Sequence, residues 1–123
     1  MVLYEFNHKK GFLETKFVGE VTLTEIINYI LDLKVNKEYP RILRIKTDAT
    51  NAIFKFSTND IKRIILETDN LIEYYDVIID AMIVSRPKTT AFSMLYKELE
   101  KNDKYKFNVF STEDGALQWL ENH

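Results

Sequence analysis

Two polar stretches hold the residue types that could do chemistry. The first is Asp48-Ala49-Thr50-Asn51, followed shortly by Ser57-Thr58; the second is Ser85-Arg86-Pro87-Lys88. Each follows a run that reads as a strand, Arg41 to Thr47 and Val77 to Val84. In open α/β sheets, ligands bind beyond the carboxyl ends of the strands. Asp48, Thr50, Asn51, Arg86 and Lys88 are therefore the candidate ligand residues, able to hold a small anion with help from the helix N-termini that follow. Ser57 and Thr58 are hydroxyls placed where a phosphate would meet the positive end of a helix. The competing reading is turn chemistry, in which Asp and Asn side chains fold back on their own backbone. Were the chain an enzyme, Asp48 and Arg86 would be its catalytic pair.

Other chemistries find little support. His8 lies in a polar turn and His123 is the last residue, so no base stands ready for a serine nucleophile. The absence of cysteine removes thiol nucleophiles, cysteine-based zinc sites and disulfides together, and fits a reducing compartment. Gly11, Gly19 and Gly115 are too far apart to form a phosphate cradle. They read as turn or helix-start residues. Glu67, Asp69, Glu73 and Asp76 read as a solvated rim, and no metal-binding spacing is present. The expectation is a chain with no catalytic constellation, no metal and no cofactor. Arg41, Arg44, Lys46, Lys55, Lys62 and Arg63 lie near Phe54 and Phe56, an interleaving that nucleic-acid binders use. Seventeen basic against nineteen acidic residues, a net charge of −2, set against it the expectation of no nucleic acid. Arg44 and Lys46 share a strand face with Ile42, so that face is expected to be partly open.

The elements that would position these residues follow from periodicity. Leu3 to His8 and Phe12 to Val18 alternate with period two, and Lys9-Lys10-Gly11 between them marks a β-hairpin. Leu23, Ile26, Ile27, Ile30 and Leu33 then give a helical face, with Thr22 and Glu25 as its capping box. Arg41 to Thr47 is a strand running into a polar loop, Asp48 to Ala52. Ile61, Ile64 and Ile65 stripe the next helix. Val77 to Val84 is a nearly continuous apolar run, as expected of a strand covered on both faces. Pro87 opens a helix whose buried stripe is expected to be Ala91, Phe92, Leu95 and Leu99. Tyr105 to Phe110 is a short strand. Ala116, Leu117, Trp119 and Leu120 line the last helix. Phe-Ser-Thr-x-Asp occurs twice, at Phe56 and Phe110, and predicts Ser57 and Ser111 as N-caps. Tyr74 and Tyr75 are adjacent, so one of them is expected outside.

The order is β-β-α-β-α-β-α-β-α. It predicts one α/β domain over 1–123, a single mixed five-stranded sheet with four helices. Right-handed crossovers should leave the last three strands parallel. No secretion signal or membrane-spanning run is seen, and a cytoplasmic location is the expectation.

With the hairpin followed by GEVTLTEI, the strand LRIKTDAT, the unit AMIVSRPKTTAFSMLY and the closing YKFNVFSTEDGALQWL, the chain resembles the SpoIIAA-like branch of the STAS superfamily. The resemblance covers nearly the whole length. It implies a non-enzymatic regulatory module that binds proteins, with a regulatory kinase or an anti-sigma-type protein as partner and a phosphorylated hydroxyl near the start of the helix after the central strand. Asp48 matches the aspartate at the family's strand end, Thr50 is the nearest hydroxyl, and Ser57 and Thr58 are the alternative acceptors. The related CRAL-TRIO fold implies the other option, a bound small ligand or lipid. A homodimer, through an edge strand or exposed aromatics, is also open.

Overall fold

A computed structural model describes all 123 residues. The hairpin forms as β1 (Val2–Asn7) and β2 (Phe12–Val21), paired antiparallel with Val2 opposite Phe17 and Asn7 opposite Phe12. Its turn is closed by Gly11 N–H to Asn7 O (2.8 Å) and Lys10 N–H to Asn7 Oδ1 (2.9 Å). Gly11 has φ +79°, a conformation that side chains with a Cβ resist. Helix α1 (Leu23–Val35) starts on the predicted capping box. Thr22 Oγ1 accepts from Glu25 N–H (3.2 Å), and Glu25 Oε1 accepts from Thr22 N–H (3.1 Å). Then come β3 (Ile42–Phe54), a 3₁₀ turn (Thr58–Asp60), α2 (Ile61–Ile72), β4 (Val77–Ile83), α3 (Pro87–Leu99), β5 (Tyr105–Phe110) and α4 (Glu113–Glu121).

The five strands lie in sequence order, with β1 antiparallel and β2 to β5 mutually parallel. The parallel block therefore has four strands where three were expected. The α1 crossover joins β2 to β3 in the same way that α2 and α3 join the later strands. When consecutive strands are neighbours, crossovers of one hand return over one face. Helices α1, α2 and α3 cover that face and α4 covers part of the other, so two separate apolar clusters form. Between the layers β4 is buried on both sides, as its apolar run predicted.

The expected loop from Asp48 to Ala52 is instead the second half of β3. A bulge between Lys16 and Val18, with Gly19 at φ +64°, carries β2 on to Val21, beside Asn51 to Phe54. On its other side β4 ends at Ile83, opposite Asp48. There Ser85 Oγ donates to Thr50 O (3.0 Å) and Thr89 Oγ1 to Ala52 O (3.1 Å). Side-chain hydroxyls thus satisfy carbonyls that a longer β4 would have taken.

Helix α3 is turned away from its expected stripe. Thr89, Ser93 and Tyr96 are buried, Phe92 is half-buried, and Ala91, Leu95 and Leu99 are exposed. Each buried residue finds a polar partner on the sheet side or on α2, which offsets the cost of burying a hydroxyl. The last helix is capped by Thr112, whose Oγ1 accepts from Gly115 N–H (3.1 Å), one residue beyond the expected Ser111. Tyr75 is buried with its hydroxyl on Leu33 O (2.7 Å), and Tyr74 is the exposed member of the pair. No helix is long and apolar enough to cross a membrane.

Candidate functional site

Asp48 lies half-buried in β3, and its Oδ1 accepts from Thr50 N–H (3.0 Å) and Thr50 Oγ1 (2.7 Å). This is the self-contained chemistry of Asp folding back on its neighbours, carried out inside a strand. Asn51 is exposed. Ser57 and Thr58 are both exposed, Ser57 holding Asp60 Oδ2 through its N–H (2.9 Å) and hydroxyl (3.3 Å). Arg86 is the residue before the first turn of α3 and Lys88 lies within that turn, both exposed. The contacts between the two stretches, from Ser85 and Thr89, fasten the free edge of β3. Neither contact involves Arg86 or Lys88.

The basic stretch is divided as well. Arg41 is a staple. Its guanidinium donates to the carbonyls of Tyr39 (2.6 and 3.1 Å), Asn36 (3.0 Å) and Tyr74 (2.9 Å), and lies 4.2 Å from the Tyr75 ring centre. Lys46 pairs with Glu113 (2.6 Å) and Glu14 (3.6 Å), tying α4 to the sheet, and holds the Glu113 carboxyl below the usual range. Lys55 reaches Glu20 at 3.7 Å. Arg44 lines a hollow beside α4 with Lys10, Phe12 and Leu117, and its Nε has no hydrogen-bond partner.

The feature with the greatest chemical contrast lies on the other face of the sheet. Between the sheet and helices α1, α2 and α3 is a cavity of about 90 Å³. The sheet lines it with Phe17, Ile45 and Ile78, and the helices with Ile30, Ile64 and Phe92. Phe54, Phe56 and Phe92 pack together along it with ring centres 4.9 to 5.5 Å apart, and all three are half-exposed. Into this apolar lining projects one carboxylate. Asp80, in the middle of β4, is 9% exposed. It shares its face with Ile78 and Met82, because side chains two apart on a strand point the same way.

Asp80 receives two hydrogen bonds. Thr47 Oγ1 donates to Oδ1 (2.9 Å) and Tyr105 O–H to Oδ2 (3.4 Å). Behind Tyr105, Tyr96 O–H donates to the Tyr105 oxygen (3.2 Å) and also lies 3.2 Å from Thr68 Oγ1. These donors stabilise the carboxylate, but no Lys, Arg or His lines the cavity. Burial wins: it pushes the Asp80 carboxyl up to about 7, against the downward pull of Thr47 and Tyr105. Burial also raises the phenols of Tyr96 and Tyr105, so both keep their protons as donors. A carboxylate offers about four lone-pair sites, and two donors leave the rest unfilled.

No family model matches the sequence, and the search of curated proteins finds no match. Among solved structures, the chain is similar to an uncharacterised DUF3478-family protein with a SpoIIAA-like fold from Shewanella loihica PV-4. The TM-score is 0.60 at 15% identity, over 98% of this chain and 92% of that one. The fold is SpoIIAA-like. A likeness at this identity speaks to architecture. It agrees with the mixed five-stranded sheet, the four helices and the resemblance read from the closing YKFNVFSTEDGALQWL. Within the SpoIIAA-like frame, Thr50 lies inside β3, eight residues before Thr58, where the 3₁₀ turn starts. Ser57 and Thr58 are the hydroxyls at the start of the helical segment. Sequence reading passed over Asp80, since VIIDAMIV reads as one apolar run. The signal was there: a single acid in a strand buried on both faces must either find a partner or change its protonation.

Proposed function

We propose that this chain is a non-enzymatic binding module of the SpoIIAA-like type that holds a small, largely apolar molecule between its sheet and the helices on one face. The observation that carries this reading is the cavity with Asp80 in its wall. Well-packed interiors leave few voids larger than a water molecule, and binding sites combine an apolar lining with a few placed polar groups. The α3 face supports the same reading, because it turns Thr89, Ser93 and Tyr96 inward and leaves Leu95 and Leu99 outside. The test is a titration with 1-butanol followed by methyl NMR. Resonances of Ile45, Ile78 and Met82 should shift together and saturate. If they stay fixed while surface methyls such as Leu99 move, the reading is wrong.

A second reading, a phosphorylation-controlled protein-interaction module, draws support from Ser57 and Thr58. Both are exposed at the start of the segment leading into α2, where a phosphate on Ser57 would repel the Asp60 carboxylate that its hydroxyl now holds and so alter that turn. Its partner would be a regulatory kinase or an anti-sigma-type protein, and a homodimer is a further form of it. Capture with purified protein phosphorylated at either residue tests it. A partner set unchanged by phosphate would remove the switch. Light scattering decides the dimer.

A further inference from the structure

We infer that the cavity takes a short-chain primary amine, with the ammonium paired to Asp80 and the alkyl body against the apolar wall. This rests on the cavity being a binding site, as proposed above, and goes further by naming the head group. Three observations lead to it. Asp80 is the only Asp or Glu among the lining residues, and the lining contains no cation. The groups facing it from every packed element are neutral donors: Thr47 on β3, Tyr105 on β5, Thr68 on α2, Tyr96 on α3, and Tyr29 on α1, whose hydroxyl is held by Thr15 at 2.7 Å. The charge that would complete the site is therefore positive and must come from outside.

The chemistry of the head group follows from who bears the desolvation cost. Burying an ion pair is expensive because both ions leave water. Here the fold has already removed Asp80 from water, so a ligand bears the cost of its own charge only. A primary ammonium has three donors and no acceptor, as the unfilled carboxylate lone pairs require. An ionised carboxylic acid would face Asp80 with like charge. A neutral alcohol could donate one bond, weaker than a charge-assisted one. Size limits the body. A dry engineered cavity of about 150 Å³ in another protein holds benzene. A volume of about 90 Å³ admits roughly four non-hydrogen atoms by that yardstick, so butylammonium, with four carbons and one nitrogen, sits at the upper limit of size.

Protonation supplies a further readout. The carboxyl is held near 7, so Asp80 ionises between pH 6 and 8 while butylammonium stays charged.

The experiment compares butylammonium, 1-butanol and butyrate by methyl NMR titration of the whole chain at pH 6 and pH 8. At pH 8 butylammonium should bind at least tenfold more tightly than butyrate and more tightly than 1-butanol. Its affinity should fall by up to about tenfold at pH 6, where most of the carboxyl is protonated. Asp80→Asn should abolish the preference for the amine and leave 1-butanol binding. If that variant does not fold, Glu100→Gln serves instead: it removes the other group titrating near 7, and the loss of amine affinity from pH 8 to pH 6 should persist in it. Binding of 1-butanol with no preference for the amine at pH 8 would overturn the head-group assignment and leave the cavity reading intact. No binding by any of the three would overturn both.

Discussion

The buried carboxylate makes a prediction about stability that needs no ligand. An ordinary aspartate titrates near 3.8, and in the fold Asp80 titrates near 7. The folded state thus holds the proton more tightly than the unfolded chain does. Below pH 3.8 both states are protonated and the folded state has its full advantage. Between 3.8 and 7 the unfolded chain loses its proton first, so stability falls as pH rises. Above 7 both are ionised and the cost is constant. At about 1.4 kcal/mol per pH unit, the window is worth roughly 4 kcal/mol in all, and roughly 3 kcal/mol of that lies between pH 5 and pH 8. Glu100, raised to about 7 by burial and by neighbouring Asp69, titrates in the same range, so a single pH curve does not isolate Asp80. The comparison with Asp80→Asn does. An amide keeps the shape, has no charge, and carries a donor-placement cost that does not change with pH. Urea unfolding of both proteins from pH 5 to pH 8 should give curves that diverge, with wild type losing roughly 3 kcal/mol relative to the variant. At typical slopes of 1–3 kcal/mol per molar urea, the midpoints should separate by about 1–3 M. Two parallel curves would show that Asp80 is already ionised and solvated in the fold, and the reasoning about its burial would fail.

Two further predictions concern the frame around the site. Thr22→Ala removes the hydroxyl that accepts from Glu25 N–H and should cost about 1 kcal/mol, lowering Tm by about 4 °C in a calorimetric scan. Arg41→Ala leaves the carbonyls of Asn36, Tyr39 and Tyr74 without their shared donor and uncovers the Tyr75 ring. It should cost about 2–3 kcal/mol by urea unfolding, and Arg41→Lys should recover only a minor part because it lacks the planar fork.

The sequence made the elements legible wherever one period dominated. The Thr22–Glu25 capping box, the Ile26–Ile30 face of α1 and the doubly buried β4 follow from local spacing and formed as expected. Boundaries failed where a neighbour supplied what the local sequence lacked. Asp48 to Ala52 reads as a loop because it is polar and its Asp and Asn favour turns. It is a strand because the bulge at Lys16–Val18 extends β2 alongside it and because Ser85 and Thr89 satisfy its other edge. Neither cause lies within the five residues themselves.

The misjudged face of α3 and the overlooked Asp80 have one origin. Reading helices by their apolar stripe assumes that the layer beneath wants hydrocarbon. Under α3 the sheet presents the Ala52 carbonyl, the Met82 sulfur and the Tyr105 hydroxyl, and Tyr105 in turn reaches Asp80. A helix laid over such a surface must bring hydroxyls, and Thr89, Ser93 and Tyr96, at helical spacings of four and three, supply them. Leu95 and Leu99 are turned outward as a consequence. The acid in β4 and the hydroxyl stripe in α3 thus belong to the same polar inset in an otherwise apolar interior. An inset of that kind, left without a counter-charge, costs stability once its carboxyl ionises. That cost is what the proposed ligand's charge would offset.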